Sequence, residues 1–258
     1  MRLTFIQKDL FWEDKAQNLK AFSEQISALE GVSDLVVLPE MCTTGFSMNP
    51  SSLAEANNGN SISTFQNLAS KHEIAIAGSH IGFDQDGSFY NRAFFIYPTQ
   101  ETVFYDKKHL FRMGEEPYHY TAGSEQVIVN YLGINIFLSV CYDLRFPAWL
   151  RNRDNAYDLL LVMANWPLGR QTVFEQLLAA RAIENQAFVC GVNRIGTDGN
   201  GIKHKGGSVV LDAYGRAMTE TVYDAPSNQT CTLNIKELHL FREKFPVWKD
   251  ADPFEFTF

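Results

Sequence analysis

No stretch of the 258 residues is both long and apolar enough to be read as a bilayer-spanning helix. The opening residues 1–6 lack the apolar run and small-residue cleavage pattern of a secretory signal, so the chain is expected in the cytoplasm. Positive charge is scarce: 22 Lys and Arg stand against 30 Asp and Glu, for a net charge of −8. That balance argues against a nucleic-acid partner, which would call for basic residues gathered on one face. Lys107, Lys108 and Arg112 lie close together, but three charges among aromatic neighbours read as a solvated face or a site.

Cysteine is sparse too. Cys42, Cys141, Cys190 and Cys231 form no C-x-x-C pair, so the usual zinc and redox motifs are absent and free thiols are expected. Asn228-Gln229-Thr230 matches the glycosylation triplet, which has no compartment to act in without export. There is no low-complexity linker, Pro/Gly-rich break or internal repeat, and residues 1–258 are read as one domain. Hydrophobic residues make up 45% of the chain, enough for an ordinary core.

What the sequence does contain is strand-like segments alternating with helix-like ones. Residues 13–30 place Leu19, Phe22, Ile26 and Leu29 at helical spacing and end at Gly31. Residues 34–38 then read as a buried strand with Glu40 just beyond it. Ile62, Phe65, Leu68 and Ala69 mark a second helix before a strand at 74–78. Two hairpin-like strands cover 89–98 and 102–106, with Asp86-Gly87 turning into the first and Lys107 ending the second. The strand at 134–140 runs into Cys141, and that at 159–163 into Ala164-Asn165-Trp166-Pro167. Residues 171–186 predict a helix with Val173, Phe174, Leu177 and Ile183 inward, followed by a strand at 188–192. The aromatic tail 246–258 predicts an extended segment packed on a neighbouring surface, this chain's own or a second subunit's. In layered α/β folds the C-terminal ends of strands carry the chemistry. Glu40, Lys107, Cys141 and Asn165 each lie at such an end.

Those residue types suit acyl transfer. A cysteine is a strong nucleophile but mostly thiol at neutral pH, with a free pKa near ~8.5, so it needs a base or a positive field. Glu40 can take the proton, and Lys107 can favour the thiolate and stabilise an oxyanion. The backbone N–H of Tyr142 is a second oxyanion donor. Taken singly, each residue also has a structural reading: Cys141 as a core thiol, Glu40 as a cap, Lys107 as surface charge.

The segments Leu38-Pro39-Glu40, Tyr105-Asp106-Lys107-Lys108-His109-Leu110-Phe111 and Cys141-Tyr142-Asp143-Leu144-Arg145-Phe146-Pro147 resemble, in order, the Glu, Lys and Cys motifs of the nitrilase superfamily. Tyr90-Asn91-Arg92-Ala93, Ala164-Asn165-Trp166-Pro167 and residues 180–186 resemble further recurrent segments, so the likeness covers most of the chain. It implies a four-layer α-β-β-α sandwich, a homodimer formed through helices near the cysteine strand, and no cofactor or metal. It makes Glu40 the general base, Lys107 the oxyanion-stabilising lysine and Cys141 the nucleophile. Many members use a second glutamate; Glu116, seven residues before Gly123, fits that position better than Glu115, with a solvated loop as its structural reading.

The sequence departs from the pattern at Ala148, where a glutamate often follows the proline. The cysteine motif followed by Ala-Asn-Trp-Pro resembles the omega-amidase branch, which implies terminal-amide hydrolysis of 2-oxo acid monoamides such as 2-oxoglutaramate and 2-oxosuccinamate, with water as second substrate. Arg145 is then expected opposite the substrate carboxylate, or else in a structural ion pair with Asp143 or Glu184. Phe111, Tyr118, Tyr142, Asn165 and Trp166 are expected around a small pocket.

Other readings stay open. The same triad serves nitriles, carbamoyl compounds and other amides. A papain-like hydrolase would need a histidine base, and a zinc amidohydrolase would need His80, His109, His119 and His204 to converge without any close ligand spacing. A non-catalytic protein retaining the scaffold is the remaining class.

Overall fold

Strands that are apolar on both faces must be covered on both, and this chain has several. In the computed structural model, which describes residues 1–256, they form two sheets. The first half of the chain runs β1 (Arg2–Gln7), α1 (Lys15–Ser27), β2 (Leu35–Val37), α2 (Pro50–Leu53), α3 (Asn60–His72), β3 (Ala75–Phe83), β4 (Phe89–Ile96), β5 (Val103–Asp106) and α4 (Glu116–His119). The second runs β6 (Ile128–Tyr131), β7 (Ile134–Val140), β8 (Leu159–Ala164), α5 (Gln171–Asn185), β9 (Phe188–Asn193), β10 (Ile195–Thr197), β11 (Lys203–Lys205), β12 (Val209–Leu211), β13 (Ser227–Thr232) and α6 (Ile235–Lys244).

The first sheet has the order β13-β1-β2-β3-β4-β5 and the second β12-β9-β8-β7-β6. Parallel pairing sits at the centre of each, β1-β2-β3 in one and β7-β8-β9 in the other, with antiparallel strands outside. Strands β10 and β11 pair as a separate hairpin.

Alternation along the central strands sets the layers. Leu35 and Val37 enter a core shared with Leu138, Val140, Leu160 and Val162 of the other sheet, whereas Val36 and Leu38 meet Phe22 and Ile26 of α1 and Phe65 of α3. The sheets touch face to face through β1 and β9 and through β4 and β7, while α5 covers β9 and β12. The result is the four-layer α-β-β-α sandwich expected, with α1 and α3 outside one sheet and α5 outside the other. Gly191 makes the α5 contact possible, since a Cβ there would stand 2.4 Å from Leu178 Cδ1.

Three local expectations change. Helix α1 is shorter than 13–30: the Asp14 side chain accepts the Gln17 N–H as its N-cap, and the helix closes at Ala28. Ile183 is 55% exposed instead of inward, because the sheet-facing stripe of α5 runs through Phe174, Leu178 and Ala182. The tail holds a 3-10 turn at Val247–Asp250, and Phe256 packs on this chain's own Trp149, ring centroids 5.4 Å apart; Thr257 and Phe258 lie outside the described residues.

Candidate active site

Four strand ends converge between the sheets. Glu40 follows β2 by three residues, Lys107 follows β5 directly, Cys141 follows β7 and Asn165 follows β8. Because β2 and β5 belong to one sheet and β7 and β8 to the other, the facing sheets bring a carboxylate and an ammonium against a thiol and an amide. Cys141 has φ +45°, a left-handed conformation a non-glycine residue adopts at a cost, which turns the chain sharply from strand to 3-10 turn. Asp143 fixes that turn. Its carboxylate accepts the Val140 N–H at 3.0 Å, the His109 N–H at 2.9 Å and the Tyr105 hydroxyl at 2.7 Å, and His109 Nδ1 lies 2.8 Å away. The turn after the cysteine is thereby tied to the loop that carries Lys107.

Glu40 is fully saturated. Its Oε1 accepts Lys107 Nζ at 2.9 Å and Asn91 Nδ2 at 2.8 Å, and its Oε2 accepts the Asn165 N–H at 2.9 Å. Cys141 lines the same cavity, close enough for the Glu40 carboxylate, Lys107 and the Asn165 backbone to act on its thiol. Glu116 takes Lys107 Nζ at 3.0 and 2.9 Å, Asn91 Nδ2 at 2.9 Å and the Phe111 N–H at 2.5 Å. Glu40, Lys107 and Glu116 are all buried. Such a cluster persists only when every member is paired.

Burial and shared charge set the protonation. Burial raises the Cys141 thiol well above its ordinary range, the Glu40 charge raises it further, and Lys107 opposes both. At rest Cys141 is therefore a thiol beside the Glu40 carboxylate. Burial opposes the charge on Lys107, yet the carboxylates of Glu116 and Glu40 outweigh it and hold the ammonium above its ordinary value. Burial raises Glu116, with Lys107 opposing.

A cavity of about 280 Å³ opens onto Cys141. Glu40, Lys107, Phe111, Tyr142, Arg145, Asn165 and Trp166 all line it. Arg145 forms neither of the expected ion pairs: its guanidinium lies 5.3 Å over the Trp166 ring, while Asp143 holds His109 and Glu184 holds Arg181. Tyr118 is a correction. It is 77% exposed and does not line the cavity, because α4 turns Glu116 inward and puts the residue two positions later on another face. Tyr142 presents its ring to Phe111 at 5.1 Å, and its N–H belongs to the first residues of a 3-10 turn, which have no partner within it.

Several residues escaped the sequence reading. Asn91 bridges both carboxylates from the middle of β4; period-two spacing puts it on the face of Ala93 and Phe95, and a polar residue at a core position was its available signal. Phe46, Met48, Arg170 and His204 are among the further residues that line the cavity, from loops and the β10–β11 hairpin, where no periodicity announces them. His204 is buried, its Nδ1 has no partner, and burial lowers its pKa to about 4, so the imidazole is neutral. His80 and His109 lie apart from it against other neighbours, and among the described residues no three His, Cys, Asp or Glu side chains are placed to hold a metal.

Comparison with known proteins agrees with this geometry. The carbon-nitrogen hydrolase family model matches residues 2–238. The chain is 42% identical over 256 residues to the omega-amidase YafV of Escherichia coli (strain K12), spanning 98% of each. It is 29% identical over 251 residues to the 2-oxoglutaramate amidase of Bacillus subtilis (strain 168), spanning 96% of each. The crystal structure of XC1258 from Xanthomonas campestris, a CN-hydrolase superfamily protein with an arsenic adduct in its active site, superposes with a TM-score of 0.96 at 36% identity, covering 100% of this chain and 99% of that one. With a buried thiol, carboxylate and ammonium at the ends of facing sheets and a match along nearly its whole length, the chain belongs to the carbon-nitrogen hydrolase family and is an amide-cleaving enzyme.

Proposed function

We propose that this enzyme is an omega-amidase that releases ammonia from the terminal amide of small 2-oxo acid monoamides such as 2-oxoglutaramate and 2-oxosuccinamate. The observation that carries the reading is one cavity holding the Cys141 thiol beside Glu40 and a guanidinium, Arg145, with no carboxylate partner among the described residues. The names of the relatives from Escherichia coli and Bacillus subtilis support the same class.

The chemistry follows from the contacts. Glu40 takes the thiol proton as Cys141 Sγ bonds to the amide carbon, so no free thiolate has to be stabilised in the apolar site. The resulting oxyanion is met by Lys107 and the Tyr142 N–H. Lys107 directs one N–H to Glu40 and shares another between the two oxygens of Glu116, which leaves a third for the oxyanion. Glu40 returns the proton to the nitrogen, the carbon–nitrogen bond breaks, and ammonia departs from a thioester. Water, deprotonated by Glu40, then attacks the thioester carbon; the carbon–sulfur bond breaks and the thiol regains its proton. Glu116 positions Lys107 and the 107–116 loop throughout.

Ammonia release from 2-oxoglutaramate, 2-oxosuccinamate, glutamine, asparagine and a nitrile tests the assignment: the 2-oxo amides lead, and Cys141→Ala abolishes release. Turnover unchanged in Cys141→Ala, or a preference for the nitrile, overturns it. Residues 1–258 form one catalytic unit in this reading, consistent with the span of the family match. The exposed Ile183, Tyr214 and Phe245 supply an apolar face for a homodimer, read out as twice the monomer mass in solution. Four unpaired cysteines suit a reducing compartment, the cytoplasm.

A further inference from the structure

The cavity holds a second guanidinium that the reaction does not use. Arg170 lines it with its charged group 5.0 Å over the Phe111 ring, the same ring that packs against Tyr142 beside the nucleophile. Its backbone is fixed on both sides: Arg170 N–H donates to Pro167 O at 3.0 Å, and Trp166 Nε1 donates to Arg170 O at 2.8 Å. The Trp166 indole therefore carries Arg145 on its face and holds the Arg170 turn with its N–H.

Neither guanidinium is matched by protein charge. Among the described residues no carboxylate lies within ion-pair distance of Arg145 or Arg170. The remaining acid at the cavity, Asp198, uses an oxygen to accept the Asn200 and Ile202 N–H groups of its own turn, and Glu40 is committed to Lys107. One substrate carboxylate would satisfy one guanidinium and leave the other facing apolar rings. A 2-oxo acid offers a further acceptor, the carbonyl oxygen next to the carboxylate, in nearly the same plane.

We infer that Arg170 is a specificity-determining residue that donates to the 2-oxo oxygen while Arg145 takes the carboxylate. This rests on the function proposed above. A monoamide lacking the oxo group leaves Arg170 without an acceptor, and a 2-amino acid amide brings an ammonium against it. Both are disfavoured for a stated electrostatic reason.

The test compares kcat/KM for ammonia release from 2-oxoglutaramate and from glutaramate, the same chain without the oxo group, in the parent, Arg170→Met and Arg170→Lys. Methionine keeps an apolar stem over Phe111 and removes the charge. The parent prefers the 2-oxo amide by about 10-fold or more, the scale expected when a built hydrogen-bond site meets a substrate lacking its partner. In Arg170→Met that preference collapses to within about 2-fold, the loss falling in KM rather than kcat and being several-fold larger on the 2-oxo amide than on glutaramate. Arg170→Lys, which keeps charge without the planar fork, retains an intermediate preference and carries the test should the methionine variant fail to fold. An unchanged preference in both variants, or equal losses on both substrates, overturns the assignment of Arg170 and leaves the amidase reading standing. A parent enzyme inactive on 2-oxoglutaramate overturns the omega-amidase reading, and this inference with it.

Discussion

Asn165 and Glu40 meet twice across the gap between the two sheets. The Asn165 N–H donates to Glu40 Oε2 at 2.9 Å, and its Nδ2 donates to the Glu40 carbonyl at 2.5 Å. The Glu40 carboxylate is thus oriented by the sheet that carries Cys141. Asn165→Ala removes the side-chain half of this link and leaves a buried carbonyl unpaired, at a cost of about 1–3 kcal/mol. Urea unfolding should report that loss, and kcat should fall by about 10-fold or more as Glu40 loses its alignment. A variant with full kcat would show that the β8 end does not position Glu40 for the proposed proton transfer.

Asn91 separates two carboxylates that share one ammonium. Asn91→Leu deletes both donors, so turnover should drop by roughly 10- to 100-fold with the sandwich intact by circular dichroism. Asn91→Asp should do worse, since a third carboxylate in a buried cluster adds repulsion to the lost donors. Equal activity in the two variants would refute the electrostatic account.

The left-handed backbone at Cys141 makes a prediction independent of its thiol. Cys141→Gly and Cys141→Ala are both inactive, but the glycine variant should be the more stable by roughly 0.5–1 kcal/mol, because only glycine adopts that conformation without steric cost. Thermal unfolding of the two proteins side by side decides it. An alanine variant as stable as the glycine one would mean the turn is unstrained.

His80 and His204 set an acid limit on stability. Burial depresses both from the ordinary 6.5 to about 4, and neither ring nitrogen of His80 has a partner. The folded state therefore binds fewer protons than the unfolded state between those values, so stability is complete above pH 6.5 and is lost as pH falls toward 4. Each histidine contributes a loss of about 2 kcal/mol between pH 7 and pH 5. In denaturant titrations, His80→Phe should flatten the pH dependence by about that amount; a curve parallel to the parent's would contradict the assignment.

Gly191 lets α5 lie close to β9. Gly191→Ala drives a Cβ into Leu178 at 2.4 Å in a fully packed layer, an overpacking cost of about 1–3 kcal/mol. Adding Leu178→Ala should recover part of the loss in a double-mutant cycle, and strict additivity of the two would rule out the contact.

The legible part of this protein was local. Period-two and helical spacing located β2, β7, β8, β9, α3 and α5 to within a few residues, because buried strands and one-sided helices leave their pattern in the chain. The motif at Cys141 and its counterparts at Glu40 and Lys107 named the reaction, since acyl transfer by a thiol needs a base and an oxyanion partner whatever the fold. Strands β1, β6 and β10 to β13 went unmarked; β13 alternates half-buried and exposed polar residues, and β10 to β12 span only three residues each, too few to show a period.

Tertiary structure decided everything that depends on two segments meeting. Spacing along the chain said nothing of Asn91 reaching Glu40 across 51 positions or Asn165 across 125. It put Ile183 on the wrong face, because the inward side of a helix is set by the layer it packs against, and the pocket expected around Tyr118 formed without it. It left Arg145 between an ion pair and a pocket, a choice made only when Asp143 and Glu184 found other partners. The residue types fixed what chemistry is possible; the packing of one sheet on the other fixed which groups touch, how they share protons, and what shape of substrate reaches them.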